Sequence, residues 1–326
     1  MEKILGIGNA LVDVIIPLKD ENLLKEFSLP KGSMQLVDKS LAEKIELSTT
    51  GLDITLASGG SAANTIHGLA KLGAVTGYIG KTGNDHHGKF FKEDMEKAGI
   101  ETFITHGSTE TGRAIALVTP DSERTFATFL GSAVELENID LSEHILRKFT
   151  MMHVEGYLVF NQGLAEEIFK QAKKAGLKIS LDLASYNVVD ANLMFLKEMT
   201  EKYVDILFAN EEEARSFTGK EPEEAVKEIA KICDLAVVKT GKSGSMIRKG
   251  PEEVKINIIK CNPIDTTGAG DLYAAGFLYG LSRGFSLEKC GNTGALLAGK
   301  VIEVLGAKIK KDEWKNIHSI VRNMEE

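Results

Sequence analysis

Cysteine is scarce in this chain: Cys233, Cys261 and Cys290 are the only three in 326 residues, odd in number, far apart and without a CxxC pair. That excludes a disulfide framework and reads as reduced thiols in a cytoplasmic protein. Positive charge is also short. Lys and Arg total 39 against 47 Asp and Glu, a formal net charge of -8, and no basic block offsets the excess. A nucleic-acid partner, held through many phosphate contacts, is therefore not expected. A small polyanion is not excluded, because backbone amides, a metal ion and a few placed cations act locally. Long apolar runs are missing too. The N-terminal stretch MEKILGIGNALVDVII is interrupted by Gly8, Asn9 and Asp13, so it is neither a signal peptide nor a membrane span. No repeat, low-complexity tract or long linker breaks the chain.

What is present is a globular balance of 43% hydrophobic and 26% charged residues. Short apolar runs alternate with helical patterns, and Gly73, Gly99 and Gly176 stand where a helix end needs a left-handed residue before the next strand. Ile179–Leu183, Val204–Phe208 and Leu235–Lys239 are nearly continuous apolar runs, the pattern of strands buried on both faces of a parallel sheet. The expected fold is a three-layer α/β unit with a mostly parallel central sheet flanked by helices. Thr111–Leu130 departs from this rhythm, alternating around a turn at Pro120–Glu123 as a hairpin does. Leu11–Leu18 and Ser33–Val37 read as further strands without a βαβ partner. These pieces predict a small discontinuous β lid over residues 11–38 and 111–130, with the large domain at 1–10, 39–110 and 131–326. Lid strands with exposed apolar faces sometimes pair between subunits, so a monomer and a homodimer both fit.

Two motifs carry chemistry. In DTTGAGDLYAAGFLYGL, Asp265–Leu281, the small residues Gly268, Ala269 and Gly270 sit directly before an amphipathic run, which makes a helix N-terminus with free amides, an anion site. Asp271 is then either a residue that merely caps the helix or a functional carboxylate. In SGGSAANTIHGLAKLGA, Ser58–Ala74, Gly59 and Gly60 allow close backbone approach and Asn64 can hydrogen-bond a hydroxyl. Two other patterns fail. GIGNAL has Leu11 where a dinucleotide-binding turn needs its third glycine, and TGKSG has Ala236 where a P-loop needs its first. The adjacent His86 and His87 point in different directions on a helix and read as solvated residues. Taken alone, Glu213 reads as a solvated helix carboxylate beside Glu211 and Glu212, and Gln35 as an exposed strand residue.

Together, the GG…N and DTxGAGD motifs, in order and over essentially the whole chain, resemble the PfkB/ribokinase family of carbohydrate and nucleoside kinases, in particular its adenosine-kinase-like members. The resemblance implies an ATP-dependent phosphotransferase using Mg²⁺. Asp271, with an ordinary carboxylate pKa of about 3.9, would be the general base, the Gly268–Gly270 amides the anion hole, and Arg124 the lid residue reaching the phosphates. Lys239, Thr240, Gly241, Gly244, Thr267 and Asn292 would line the nucleotide. Asn210 and Glu213 would help hold Mg²⁺, partly through water, and Asp265 with Thr267 form a candidate monovalent-cation (K⁺) site. Asn9, Asp13, Gly59, Gly60 and Asn64 would grip the acceptor sugar, while Gln35, Phe126 and Thr128 line a base pocket. The implied acceptor is the 5′ hydroxyl of a purine nucleoside, adenosine first. Ribose or a fructose derivative is the alternative, and a nucleoside sensor without turnover the alternative of another class.

Overall fold

The computed structural model describes residues 2–121, 123–137 and 141–325. Its large sheet has nine strands: β1 (Lys3–Ile7), β5 (Val75–Thr82), β6 (Glu101–His106), β9 (Met151–Glu155), β10 (Lys178–Asp182), β11 (Ile206–Asn210), β12 (Leu235–Lys239), β13 (Ser245–Lys249) and β14 (Glu252–Ile256). They lie in the order β14-β13-β12-β11-β10-β9-β1-β5-β6. From β12 to β6 every pairing is parallel, and β13 and β14 turn back antiparallel at one edge. The three apolar runs expected to be central strands are β10, β11 and β12, two of them displaced by a residue or two.

Period two along β11 shows why both faces must be covered. Ile206 and Phe208 belong to one apolar cluster, Leu207 and Ala209 to the other. Helices on each side seal them, which gives the three layers expected. Phe208 meets Phe277 edge-on, with ring centroids 5.5 Å apart, so the helix Ala269–Ser282 is anchored over the middle of the sheet. Among the described residues no helix is long and apolar enough to cross a membrane.

The second sheet is smaller: β3 (Met34–Leu36), β8 (Arg124–Gly131), β7 (Thr111–Val118), β2 (Leu11–Pro17) and β4 (Thr55–Gly59), in that order. It contains the hairpin and the two early strands expected for a lid. β4 is an addition, because its sequence TLASG alternates too weakly to mark a strand. Of the expected turn at Pro120–Glu123, Ser122 lies outside the described residues; the Thr119 N–H donates to the Glu123 carbonyl across it at 2.9 Å. β2 leaves the C-terminal end of β1, and β4 runs straight into the helix Ser61–Lys71. The small sheet is thereby tied to the edge of the large one where the parallel strands end, the edge at which α/β sheets bind ligands.

Close helix packing holds that edge. A side chain at Gly68 would lie 2.8 Å from both Ala275 and Leu272, and one at Gly276 would strike the Thr293 carbonyl of the helix Leu287–Val301. Gly276→Val should therefore cost about 2–3 kcal/mol of unfolding free energy. Urea denaturation followed by circular dichroism checks this, and an unchanged midpoint would contradict the packing described.

Candidate active site

The helix Ser61–Lys71 begins at a turn only glycine can make. Gly60 has φ +94°, and the space a side chain would need is filled by the Asn9 carbonyl; at Gly59 it is filled by the Asp13 carboxylate. Glu155, at the end of β9, ties this turn down. Its carboxylate accepts from the Asn9 side chain at 2.7 Å, the Asn9 N–H at 3.3 Å and the Ala62 N–H at 3.1 Å. Burial pushes its pKa up to about 7 despite those donors. The Asn9 side chain, expected to touch the acceptor, donates an amide N–H to Glu155 and so also shapes the turn.

The second turn meets the first. Gly268 is left-handed (φ 75°), with Ala307 filling the space of its missing side chain, and opens the helix carrying Asp271 in its first turn. The Asp271 carboxylate accepts from Ser61 Oγ at 2.8 Å and from Asn64 Nδ2 at 3.0 Å, while its carbonyl accepts from Thr65 Oγ1 at 3.1 Å. Burial lifts its pKa to about 6. Ser61 and Asn64 oppose the rise, nearby Asp182 adds to it and Lys239 opposes it. The ordinary value expected from sequence is thus corrected upward; the carboxylate remains ionised at neutral pH and titrates just below it.

Ser61 and Asp271 close one end of a cleft of about 1170 Å³ that runs along the C-terminal strand edge. Lys239, Gly241, Gly244 and Gly268–Gly270, the residues expected beside a nucleotide, line this cleft, and Ala295, Ala298 and Gly299 give it a low wall of small residues. Thr240 is buried and closes the Lys239–Ser245 turn through the Gly244 carbonyl, and neither it, Thr267 nor Asn292 lines the cleft. Lys239 donates to Asp182 at 2.8 Å, a buried pair. Burial works against the ammonium, but Asp182 and Glu213 lift its pKa above the usual lysine value.

Asn210 and Glu213 form a capping box. The Glu213 N–H donates to the Asn210 side chain at 2.8 Å, and the Glu213 carboxylate accepts from the Asn210 N–H and amide, each at 2.7 Å. The plain sequence reading of Glu213 as solvated is therefore wrong: it is 3% exposed, and burial with Asp182 nearby raises its pKa to about 7. Among the described residues no three His, Cys, Asp or Glu gather into a metal cage. Asp182 and Glu213, both at the cleft, suit a hard divalent cation that is held mainly by phosphate oxygens and water.

Arg124 crosses from β8 to the glycine turn. Its guanidinium pairs with Asp265 at 2.6 Å, both groups being buried, and donates to Thr267 Oγ1 at 2.9 Å. Asp265 also accepts from the Thr267 N–H at 3.0 Å and the Gly306 N–H at 2.8 Å. The Arg124 guanidinium thus stands beside Asp265 and Thr267, the residues expected to hold a monovalent cation, and Arg124 does not line the cleft.

Alternation places Phe126 and Thr128 on the same face of β8 as Arg124, and Phe126 packs with Ile15, Ala116 and Val118. Gln35 is a correction. β3 pairs in parallel with β8 so that Gln35 stands beside Ala127 and Met34 and Leu36 stand beside Phe126 and Thr128. Gln35 therefore belongs to the opposite face, where its amide reaches Ser33 at 3.3 Å. Met34 and Leu36, 51% and 64% exposed, occupy the face assigned to it. Sequence reasoning also missed Ser61, Glu155, Asp182 and Lys308. Asp182 ends an apolar strand at the ligand edge, a signal that was available; Lys308, whose ammonium donates to Asn64 Oδ1 at 3.3 Å, carries none.

Residues 32–314 match the pfkB family carbohydrate kinase. The adenosine kinase from Sinorhizobium meliloti is similar at 33% identity, with 99% of each chain covered and a TM-score of 0.87. A probable sugar kinase from Rhizobium etli is similar to the same degree, 33% identity and TM-score 0.87 over 99% of this chain and 98% of that one. The 5-dehydro-2-deoxygluconokinase of Bacillus subtilis is 29% identical over 75% of this chain and 80% of its own. With the two glycine turns facing each other across Asp271, the match over most of the chain makes it a member of the PfkB family of sugar and nucleoside kinases.

Proposed function

We propose that the protein transfers the γ-phosphate of ATP to the 5′ hydroxyl of a purine nucleoside, adenosine being the first choice. The observation that carries this reading is the Asp271 carboxylate, held by Ser61 and Asn64 where the large cleft ends against the small sheet. Phosphoryl transfer needs alignment and charge neutralisation more than covalent help. ATP in the cleft directs its γ-phosphate at the Gly268–Gly270 amides, with the Lys239 ammonium alongside. Asp271 takes the proton from the acceptor hydroxyl as that oxygen bonds to phosphorus and the bond to the ADP oxygen breaks. Mg²⁺, with Asn210, Glu213 and Asp182 on its side of the cleft, neutralises the phosphate charge when bound.

Asp13 supports the acceptor side. Its ionised carboxylate suits two vicinal sugar hydroxyls, although burial raises its pKa to about 6 against the pull of Lys308. Ile15, Phe126, Met34 and Leu36 make an apolar strip suited to a flat base. The likeness to an adenosine kinase over the full chain supports the nucleoside. Asp13 favours a second reading equally well, since any sugar diol satisfies it, and ribose or a fructose derivative is that reading's acceptor.

Asp271→Asn should lower kcat by roughly 10²- to 10⁴-fold while the KM for ATP changes little. Both Asp271 and Asp13, raised to about 6, are protonated as the pH falls through that value, so wild-type kcat/KM for the acceptor should drop steeply below about pH 6. A steady-state assay of ADP release checks both, and near-normal turnover by Asp271→Asn or a level profile from pH 5 to 7 would remove the general base.

Substrate choice is tested by comparing kcat/KM for adenosine, inosine, guanosine, ribose and fructose. Adenosine should lead. Leu36→Ala should reduce the nucleoside values by about 5- to 20-fold, the scale of a lost apolar side-chain contact, and spare ribose, whereas Gln35→Ala should leave the ranking intact. Ribose or fructose ahead of every nucleoside would select the sugar-kinase reading.

A further inference from the structure

The segment between the helices Leu287–Val301 and Glu313–Glu325 walls the acceptor side of the site, with three consecutive residues facing three different parts of it. Gly306 donates its N–H to Asp265, Ala307 fills the space over Gly268, and Lys308 turns to the helix Ser61–Lys71. The Lys308 ammonium is a donor only, and it occupies the Asn64 carbonyl oxygen at 3.3 Å. The Asn64 NH₂ is thereby left to face Asp271, to which it donates at 3.0 Å. Lys308 at the oxygen and Asp271 at the NH₂ together hold the amide in one orientation, since a flipped amide would set donor against ammonium and acceptor against carboxylate.

Resting on the phosphotransferase reading above, we propose that Lys308 is a positioning residue of the reaction: through Asn64 it fixes the direction of the Asp271 carboxylate and links the base to the acceptor-binding Asp13. The surrounding charges fit this role. Lys308 faces Asp13 on β2, Asp94 on the helix His86–Lys97, Asp271, and Lys71 and His67 on its neighbouring helix. Burial lowers its pKa to about 8, with the three aspartates opposing the fall. Asp271 in turn is faced by Asp182, Glu155, Asp13 and Tyr157 and by the cations Lys239 and Lys308. Removing the Lys308 charge therefore makes Asp271 harder to ionise.

The test uses the acceptor that the wild type phosphorylates best, so it does not depend on which one that is. Lys308→Met should lower kcat by about 10- to 100-fold, the scale of a misaimed catalytic group, with the KM for ATP within about twofold and the acid limb of kcat/KM moved to higher pH. Lys308→Arg should bring the limb back toward its wild-type position. Lys308→Gln, which keeps an N–H donor for Asn64 without the charge, should retain more kcat than Lys308→Met and still shift the limb; it also serves if Lys308→Met does not fold. Full turnover with an unshifted limb in Lys308→Met or Lys308→Gln overturns the proposal, provided Asp271→Asn is inactive in the same assay. Near-normal Asp271→Asn would instead overturn the reading it rests on.

Discussion

One carboxylate, Asp271, joins two parts of the chain that lie 210 residues apart at Ser61. The contact works because each partner sits in the first turn of its own helix, and the two helices are brought together by glycine. Gly68 lies against Leu272 and Ala275, so the helix axes approach closely enough for Ser61 and Asn64 to reach the acid. A larger residue there would separate the turns, and neither motif would be a site alone.

The position is electrostatically costly, and much of the surrounding architecture offsets that cost. Asp13, Glu155, Asp182, Glu213, Asp265 and Asp271 gather at one edge of the sheet. Each has a named compensation: Lys239 for Asp182, Arg124 for Asp265, Lys308 for Asp13, the Asn9 amide and two backbone N–H groups for Glu155, the Asn210 cap for Glu213, and Ser61 with Asn64 for Asp271. Breaking a buried pair by removing one partner is far more damaging than never having built it. Incomplete compensation keeps Asp271 and Asp13 near pKa 6, close enough to neutrality for proton transfer to be sensitive to small changes around them. The Arg124–Asp265 pair has a second effect, fastening the small sheet to the glycine turn from which the helix bearing Asp271 starts.

The central strands were legible because residues buried on both faces leave uninterrupted apolar runs, as in LAVVK. Asp271 was legible because a glycine turn before a helix is a local feature. Three things were hidden by their nonlocal origin. β3 has only three residues, and which face Gln35 takes is decided by its register against β8, a partner about 90 residues away; a shift of one position reverses the answer. Lys308 lies in an irregular segment with no periodicity to mark it and gains its meaning from Asn64 across the fold. The capping box of Asn210 and Glu213 was readable as N-x-x-E, but three consecutive glutamates looked like a solvated face, and only the packing of the helix Glu211–Thr218 shows that the third is buried.

Whether Asp271 is the base depends on where the acceptor hydroxyl lies. A crystal structure of the protein with adenosine and a non-hydrolysable ATP analogue measures this directly. The 5′ oxygen should lie about 3 Å from an Asp271 carboxylate oxygen, within hydrogen-bond reach for proton transfer, with the terminal phosphate at the Gly268–Gly270 amides and the ribose diol on Asp13. A nucleoside whose 5′ oxygen points away from Asp271, or an analogue whose terminal phosphate lies far from that turn, would contradict it.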